Sequence, residues 1–356
     1  YLHSDQEEAL YKIIDGSPLK GDQPLTPTLK APDGRPIYNQ TGRNTYKGGL
    51  YNESGGEREV VSLAFSRYFN DGDGSFTIGY THQNIDELSG MASTTANSSY
   101  GKYAASDYNN RTAQRSIYET EHRLFATMSS THYFFGADKP TTFNLYFERK
   151  SGLPGTYSWD TYTSGNYGGT AYQREAFGYE KNLNDDSSHL IYVPSGIDDP
   201  NVCWGSCDGA PDLAIANQVL DMLYNQLGLA SYAGQIVPNG VYEYPWQTSL
   251  DLKITQILPG FRAEDEFVIS LGIENLLNLI DSNKGEIEYG NYNGKMAVLD
   301  MFMNEDFSKY IYPNYKGRGY PDWAYGFNQS NPKGIRKSAV NSIWRAQLGF
   351  TYKFSF

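Results

Sequence analysis

Seven stretches of this chain alternate apolar and polar residues with a period of two. That spacing places successive side chains on opposite faces of a β-strand. Glu57–Phe69 sets Val61, Leu63 and Phe65 against Ser62, Ala64 and Ser66. Ser75–Gln83 sets Phe76, Ile78 and Tyr80 against Thr77, Gly79 and Thr81. His122–Phe134 alternates least cleanly: Leu124, Ala126 and Met128 face one way, but Phe125 and Tyr133 face the other. Thr141–Arg149 carries Phe143, Leu145 and Phe147 on one face, and Thr248–Ile257 carries Leu250, Leu252 and Ile254. Glu266–Glu274 opposes Phe267, Ile269, Leu271 and Ile273 to Ser270, Gly272 and Glu274. The last stretch, Trp344–Phe356, is the clearest: Trp344, Ala346, Leu348, Phe350, Tyr352, Phe354 and Phe356 share one face.

The connections alternate in length. Short turns at 70–74, 136–140 and 259–260 join three pairs of strands, and Asn70-Asp71-Gly72-Asp73-Gly74 is a strong tight-turn signal. Long polar segments at about 86–118, 151–246 and 279–341 follow. Short turns at one end and long loops at the other typify outer-membrane barrels. The expectation is an all-β chain forming part of a transmembrane antiparallel β-barrel in the bacterial outer membrane. The long loops would be extracellular and the C-terminus periplasmic. Residues 1–56 would be a further extracellular loop segment, and 57–356 the barrel strands. Seven strands fall short of the roughly eight that the smallest single-chain membrane barrels use. The missing strands are expected elsewhere, and the opening Tyr-Leu-His-Ser-Asp-Gln-Glu-Glu reads as the interior of a longer chain, as a nicked surface loop would.

Face chemistry agrees with this orientation. Arg123, Glu148, Asp251, Lys253, Glu274 and Arg345 fall on the face predicted to line the lumen. Phe69, Phe76, Phe134, Phe267 and Phe354 gather near the short turns, as an interfacial girdle would. Arg67 and Arg149 fall on the outward face near strand ends, where a long side chain reaches the interface. Within 151–246, Pro211–Leu227 reads as a short helix with Leu213, Ala216, Leu220, Leu223 and Leu227 in a stripe and Gly228 as its stop.

Composition adds 31 Tyr, 17 Phe and 36 Gly, suited to strands and turns, and a net charge of −12 that argues against nucleic-acid binding. Cys203 and Cys207 are close enough in sequence for a local disulfide in an exported protein. No run of apolar residues is long enough for a membrane helix.

The stretch Pro245-Trp246…Leu250-Asp251-Leu252…Leu258-Pro259-Gly260-Phe261…Ile273-Glu274-Asn275-Leu276-Leu277-Asn278 resembles the end of a TonB-dependent outer-membrane receptor of the Oar-like branch. Ser151-Gly152-Leu153-Pro154 and Leu190-Ile191-Tyr192-Val193-Pro194 are similar to segments of the same family. The resemblance implies a barrel of about 22 strands closed by Trp344–Phe356. It also implies energy-coupled import of a scarce peptide, oligosaccharide or metal chelate. The implied partners are the N-terminal strands and plug, the TonB complex reached through an N-terminal segment, the barrel-assembly machinery acting on the last strand, and a surface lipoprotein. The plug and the TonB-contacting segment have no counterpart among these residues.

Candidate ligand contacts are the loop aromatics Tyr157, Trp159, Tyr162, Trp204, Tyr242, Trp323 and Tyr325, since such rings stack on sugars and peptides. Rings packing loop against loop are the competing reading. Trp246, beside Pro245, is expected as an interfacial anchor. Asp185-Asp186 and Asp198-Asp199 offer oxygen ligands for a structural Ca²⁺, without the spacing of a known calcium loop, and solvated charge is the simpler reading. The five histidines, His3, His82, His122, His132 and His189, are scattered, and neither a metal site nor a catalytic centre is expected. His122 and Ser130 share the outward face. Two alternative roles stay open: adhesion, surface assembly or protein export through the same kind of barrel, and a secreted carbohydrate-binding β-protein.

Overall fold

The computed structural model describes residues 1–13, 27, 29–37, 48–88, 99, 103–160, 189–262, 264–290, 294–304, 306–313 and 334–354. Strand makes up 53% of the structure and helix 12%, which places the chain in the all-β class. No helix among the described residues is long and apolar enough to cross a membrane.

One sheet dominates. Eight of its strands are hydrogen-bonded neighbours in chain order, all antiparallel: β1 (Leu2–Ile13), β2 (Gly48–Phe69), β3 (Gly74–Glu87), β4 (His122–His132), β5 (Thr141–Lys150), β6 (Gln247–Pro259), β7 (Glu266–Glu274) and β8 (Arg345–Lys353). Seven correspond to the alternating stretches, and β8 pairs with β7 along its whole length. Strand β1 corrects the expectation that residues 1–56 are all loop. It pairs with β2 through a bulge between Gln6 and Glu7, and β2 itself begins at Gly48. Its sequence is polar on both faces, so alternation does not announce it. Cross-strand charge supports it instead, with Lys12 Nζ 2.5 Å from Glu53 and His3 Nδ1 3.5 Å from Glu57. Strands β1 and β8 are the two edges; among the described residues they do not pair with each other.

Register aligns the alternating patterns. Phe65, Ile78, Ala126, Phe147 and Leu250 form one row across β2 to β6. Met128, Leu145, Leu252, Ile273 and Ala346 form another across β4 to β8. The opposite face carries Ser66, Thr77, Thr127, Tyr146 and Asp251, then Ser129, Asn144, Lys253, Gly272 and Gln347. Large apolar side chains on this face are exposed, Leu63 by 69%, Leu348 by 59% and Phe350 by 61%, and those of the middle strands are partly so. Among the described side chains of the eight strands, Leu10 is the single buried hydrophobic one.

The buried core lies off the sheet, in the long connections. Residues 29–37, 103–117, 151–160, 189–244 and 294–313 supply it. We call this body the cap. Pro154–Asp160 is its central strand, flanked antiparallel by His189–Leu190 and Tyr242–Glu243 and parallel by Lys295–Asp300. Val202–Gly205 runs parallel to Tyr310–Pro313. Cys203 and Cys207, at one end of that pair, are disulfide-bonded with Cα atoms 5.1 Å apart.

The expected helix is present as Leu213–Asp221, continued by a π turn at Met222–Gln226. Asp212, not Pro211, starts it, its carboxylate accepting the backbone N–H groups of Ala214 and Ile215. Its buried residues are Ile215, Ala216, Val219, Met222 and Leu223; of the expected stripe, Ala216 and Leu223 are buried, Leu220 and Leu227 pack partly buried against the core, and Leu213 is exposed. Gly228, at φ +71°, stops it as expected.

The two bodies predict different responses to truncation. Trp159→Ala, in the cap core, should destabilise the cap by about 3–5 kcal/mol, read from its urea midpoint. Phe350→Ala, on the uncovered face, should leave that midpoint unchanged.

Candidate functional site

The polar face of the sheet holds a concavity of about 460 Å³, lined among others by Asn144, Tyr146, Asp251, Lys253 and Glu274. The charges around it are largely paired. Arg123 donates to Glu148 at 2.7 Å, Lys150 lies 3.5 Å from the same carboxylate, and Arg345 is 2.8 Å from Glu274. Asp251 accepts the backbone N–H of Asn275 at 2.8 Å. Asn275 takes a left-handed conformation, φ +53°, which Asn tolerates better than most residues. Its side-chain amide donates to the carbonyls of Gly285 and Ser342, both at 2.8 Å, so Asn275 holds together the segments that leave β7 and enter β8.

A second charged cluster fastens cap to sheet. Arg115, in a two-residue strand beside β3, reaches Glu119 at 2.6 Å and Glu121 and Glu243 at 2.7 Å each. Glu119 also accepts the backbone N–H of Ile85 in β3 at 2.6 Å. Burial pushes the Glu243 carboxyl up, but the hydrogen bond and charge of Arg115 outweigh it and hold the group below the ordinary glutamate value. Gly240, at φ +69°, lets the backbone pass the Arg115 stem; a Cβ there would lie 3.0 Å from the Arg115 Cβ.

The loop aromatics divide differently from the expectation. Tyr157, Trp159, Trp204 and Tyr242 are core residues, each at most 8% exposed. Tyr157 stacks on Tyr242 at 4.5 Å, Trp159 packs on Tyr310 at 4.8 Å, and Trp204 stacks on Tyr312 at 5.5 Å. Loop-on-loop packing claims these rings, so a ligand arriving from solvent does not meet them. Burial raises the hydroxyls of Tyr157, Tyr242, Tyr310 and Tyr312 well above the ordinary tyrosine value, so they stay neutral. Tyr162, Trp323 and Tyr325 lie outside the described residues, as do Asp185, Asp186 and Phe356. Asp199 organises its own loop: one oxygen accepts from the Tyr192 hydroxyl and the Ser195 amide and hydroxyl, the other from the Asn201 amide. Those donors occupy the carboxylate that the sequence offers to Ca²⁺.

Sequence reasoning missed two further sites. Arg35, fully buried, joins Asp33 at 2.7 Å, donates to the Leu190 carbonyl at 2.8 Å and lies over the Trp159 ring at 4.7 Å. Among the histidines, register brings His82 beside His122, with ring centroids 5.0 Å apart, while Ser130 pairs with His132 at 2.8 Å rather than with His122. A connection of roughly forty residues separates His82 from His122, so neither spacing nor periodicity could pair them. Phe134 stacks on His132 at 5.3 Å. Trp246, expected as an anchor, is 44% exposed and stacked between His122 and Arg149.

Comparison with protein-family models, curated proteins and solved structures returns no match.

The Arg115 cluster predicts an acid limit for the cap. Because Glu243 is held below its unfolded value, its contribution is complete above the ordinary carboxylate range and is lost as pH falls through the lower folded value. Arg115→Met should weaken the cap by about 2–3 kcal/mol, less than a fully buried pair because Arg115 is partly solvated. It should also move acid-induced proteolytic opening to higher pH.

Proposed function

We propose that this chain forms part of the wall of a bacterial outer-membrane β-barrel that imports a scarce ligand in a TonB-dependent manner. The single observation that supports it is the uncovered apolar face running across the sheet. Burying a Leu or Phe side chain contributes about 1.5–3 kcal/mol, so rows of such residues left in water would forfeit a large stabilisation. In lipid the same face is at home, and the strands meet the requirement that backbone groups be paired within the hydrocarbon layer. The polar face then lines an aqueous lumen, and the cap lies at the extracellular end.

Aromatic contacts at the short-turn end fit an interfacial girdle on this reading: Phe69–Phe76, Phe134–Phe143, Phe267–Phe350 and Tyr352–Phe354. Strands β1 and β8 would pair with further strands of the same barrel, since an open edge in lipid leaves backbone groups unsatisfied. The plug and the TonB-contacting segment would come from the same parent protein. The sequence resemblance to Oar-like receptors supports transport over adhesion or export. The cargo class that the resemblance implies is a peptide, an oligosaccharide or a metal chelate.

Two adjacent positions of β8 separate a membrane wall from a soluble sheet. Leu348→Arg, near mid-strand on the apolar face, should impair folding into bilayers by about 2–4 kcal/mol, whereas Gln347→Arg on the polar face should be nearly neutral. Equal effects would overturn the membrane assignment. Growth on a nutrient taken up through this barrel should cease in cells lacking TonB, and growth that persists would overturn the transporter reading.

A further inference from the structure

We propose that His82, His122 and Glu121 form a binding site for one divalent transition-metal ion on the outward face of the sheet where it meets the cap. His82 and His122 are direct cross-strand partners in β3 and β4, and Glu121 precedes β4. One ligating atom from each of the three lies within 4.8 Å of the other two. That grouping suits a single ion bound by two imidazole nitrogens and one carboxylate oxygen.

The groups behind these ligands are arranged as a metal site requires. A ligating histidine presents one ring nitrogen to the ion and fixes its orientation by a hydrogen bond from the other. The Nδ1 atom of His82 lies 3.1 Å from the Glu121 carbonyl, and that of His122 lies 2.8 Å from the Tyr80 hydroxyl. With both Nδ1 atoms so engaged, Nε2 is the nitrogen each ring has left for an ion. The Glu121 carboxylate is itself oriented: one oxygen lies 3.2 Å from His122 Nε2, and the other accepts from Arg115 at 2.7 Å. An arriving ion displaces a single contact, the one between Glu121 and His122.

Electrostatics favour a cation. Arg115 faces three carboxylates, Glu119, Glu121 and Glu243, so the cluster beside the histidines carries excess negative charge. Trp246 stacks on His122 at 5.9 Å and closes one side, with the Arg149 guanidinium beyond it. Two nitrogens and one oxygen select Zn²⁺, Ni²⁺ or Cu²⁺ over Mg²⁺ and Ca²⁺, which prefer all-oxygen ligation. The partly exposed ligands leave room for water to complete the shell. A bound ion would tie the segment that carries Glu121 to β3, adding a link at the seam between cap and sheet.

The test uses the full chain in detergent, without an affinity tag, titrated with Zn²⁺ by calorimetry and with Co²⁺ by visible absorption. One equivalent is expected, with a Co²⁺ spectrum of nitrogen and oxygen ligation. His82→Gln and His122→Gln should each weaken Zn²⁺ binding by at least about tenfold, and Gln keeps a polar group for the existing hydrogen bonds. His3→Gln should leave affinity unchanged, although His3 lies near Glu57 and Glu59 in a second, more exposed cluster. A far-ultraviolet spectrum and protease resistance equal to the parent's confirm that each variant is folded. Unaltered Zn²⁺ affinity in the double variant, loss in His3→Gln alone, or equally tight Mg²⁺ binding would each overturn the site.

Discussion

A β-sheet satisfies its backbone through its neighbours, but its side chains need a second partner on any apolar face. Here antiparallel pairing runs across eight strands, while on the apolar face Leu63, Phe65, Leu348 and Phe350 are exposed. Every other feature of the structure is arranged around that unmet requirement. The hydrophobic core, which would ordinarily lie against the sheet, has been assembled from the connections instead. The molecule therefore separates two tasks: the sheet supplies an extended hydrogen-bonded surface, and the cap supplies the packed interior.

The seam between the two bodies is ionic and directional. Arg115 and its three carboxylates and the Glu119 contact to the Ile85 amide are short and geometrically specific. Such contacts fix register where packing area is small. Within the cap, Arg35 does comparable work: its guanidinium reaches from the 29–37 hairpin to Leu190 and Trp159 and so joins segments more than a hundred residues apart.

The wall was legible from sequence because each of its strands except β1 has one consistently apolar face, and a period of two survives wherever only one face is apolar. β1 escaped because Leu2–Ile13 mixes Asp, Glu, Gln and Lys over both faces. The helix was legible in place and largely in face: of the expected stripe, Ala216, Leu220, Leu223 and Leu227 meet the core, and the exception, Leu213, lies in the first turn. Trp159 and Tyr157 looked like surface rings because they sit in a long polar connection, yet polar connections that carry this much aromatic area can bury it in one another. His82 and His122 were hidden for the opposite reason, since only the register of β3 against β4 makes them neighbours.

The parallel pairs inside the cap also set an order of events. Three hairpins of the sheet, β2–β3, β4–β5 and β6–β7, join residues close in the chain, whereas Pro154–Asp160 must await Lys295–Asp300, and Val202–Gly205 must await Tyr310–Pro313. Parallel partners cannot be delivered by a tight turn, and distant contacts are slow to form because the intervening chain must first lose its freedom. Much of the cap is thus committed to waiting, unfinished, until residues 295–313 join it. During that interval its tyrosines and tryptophans are unburied, which makes the folding step, rather than the stability of the finished cap, the stage at which cap mutations would first be felt.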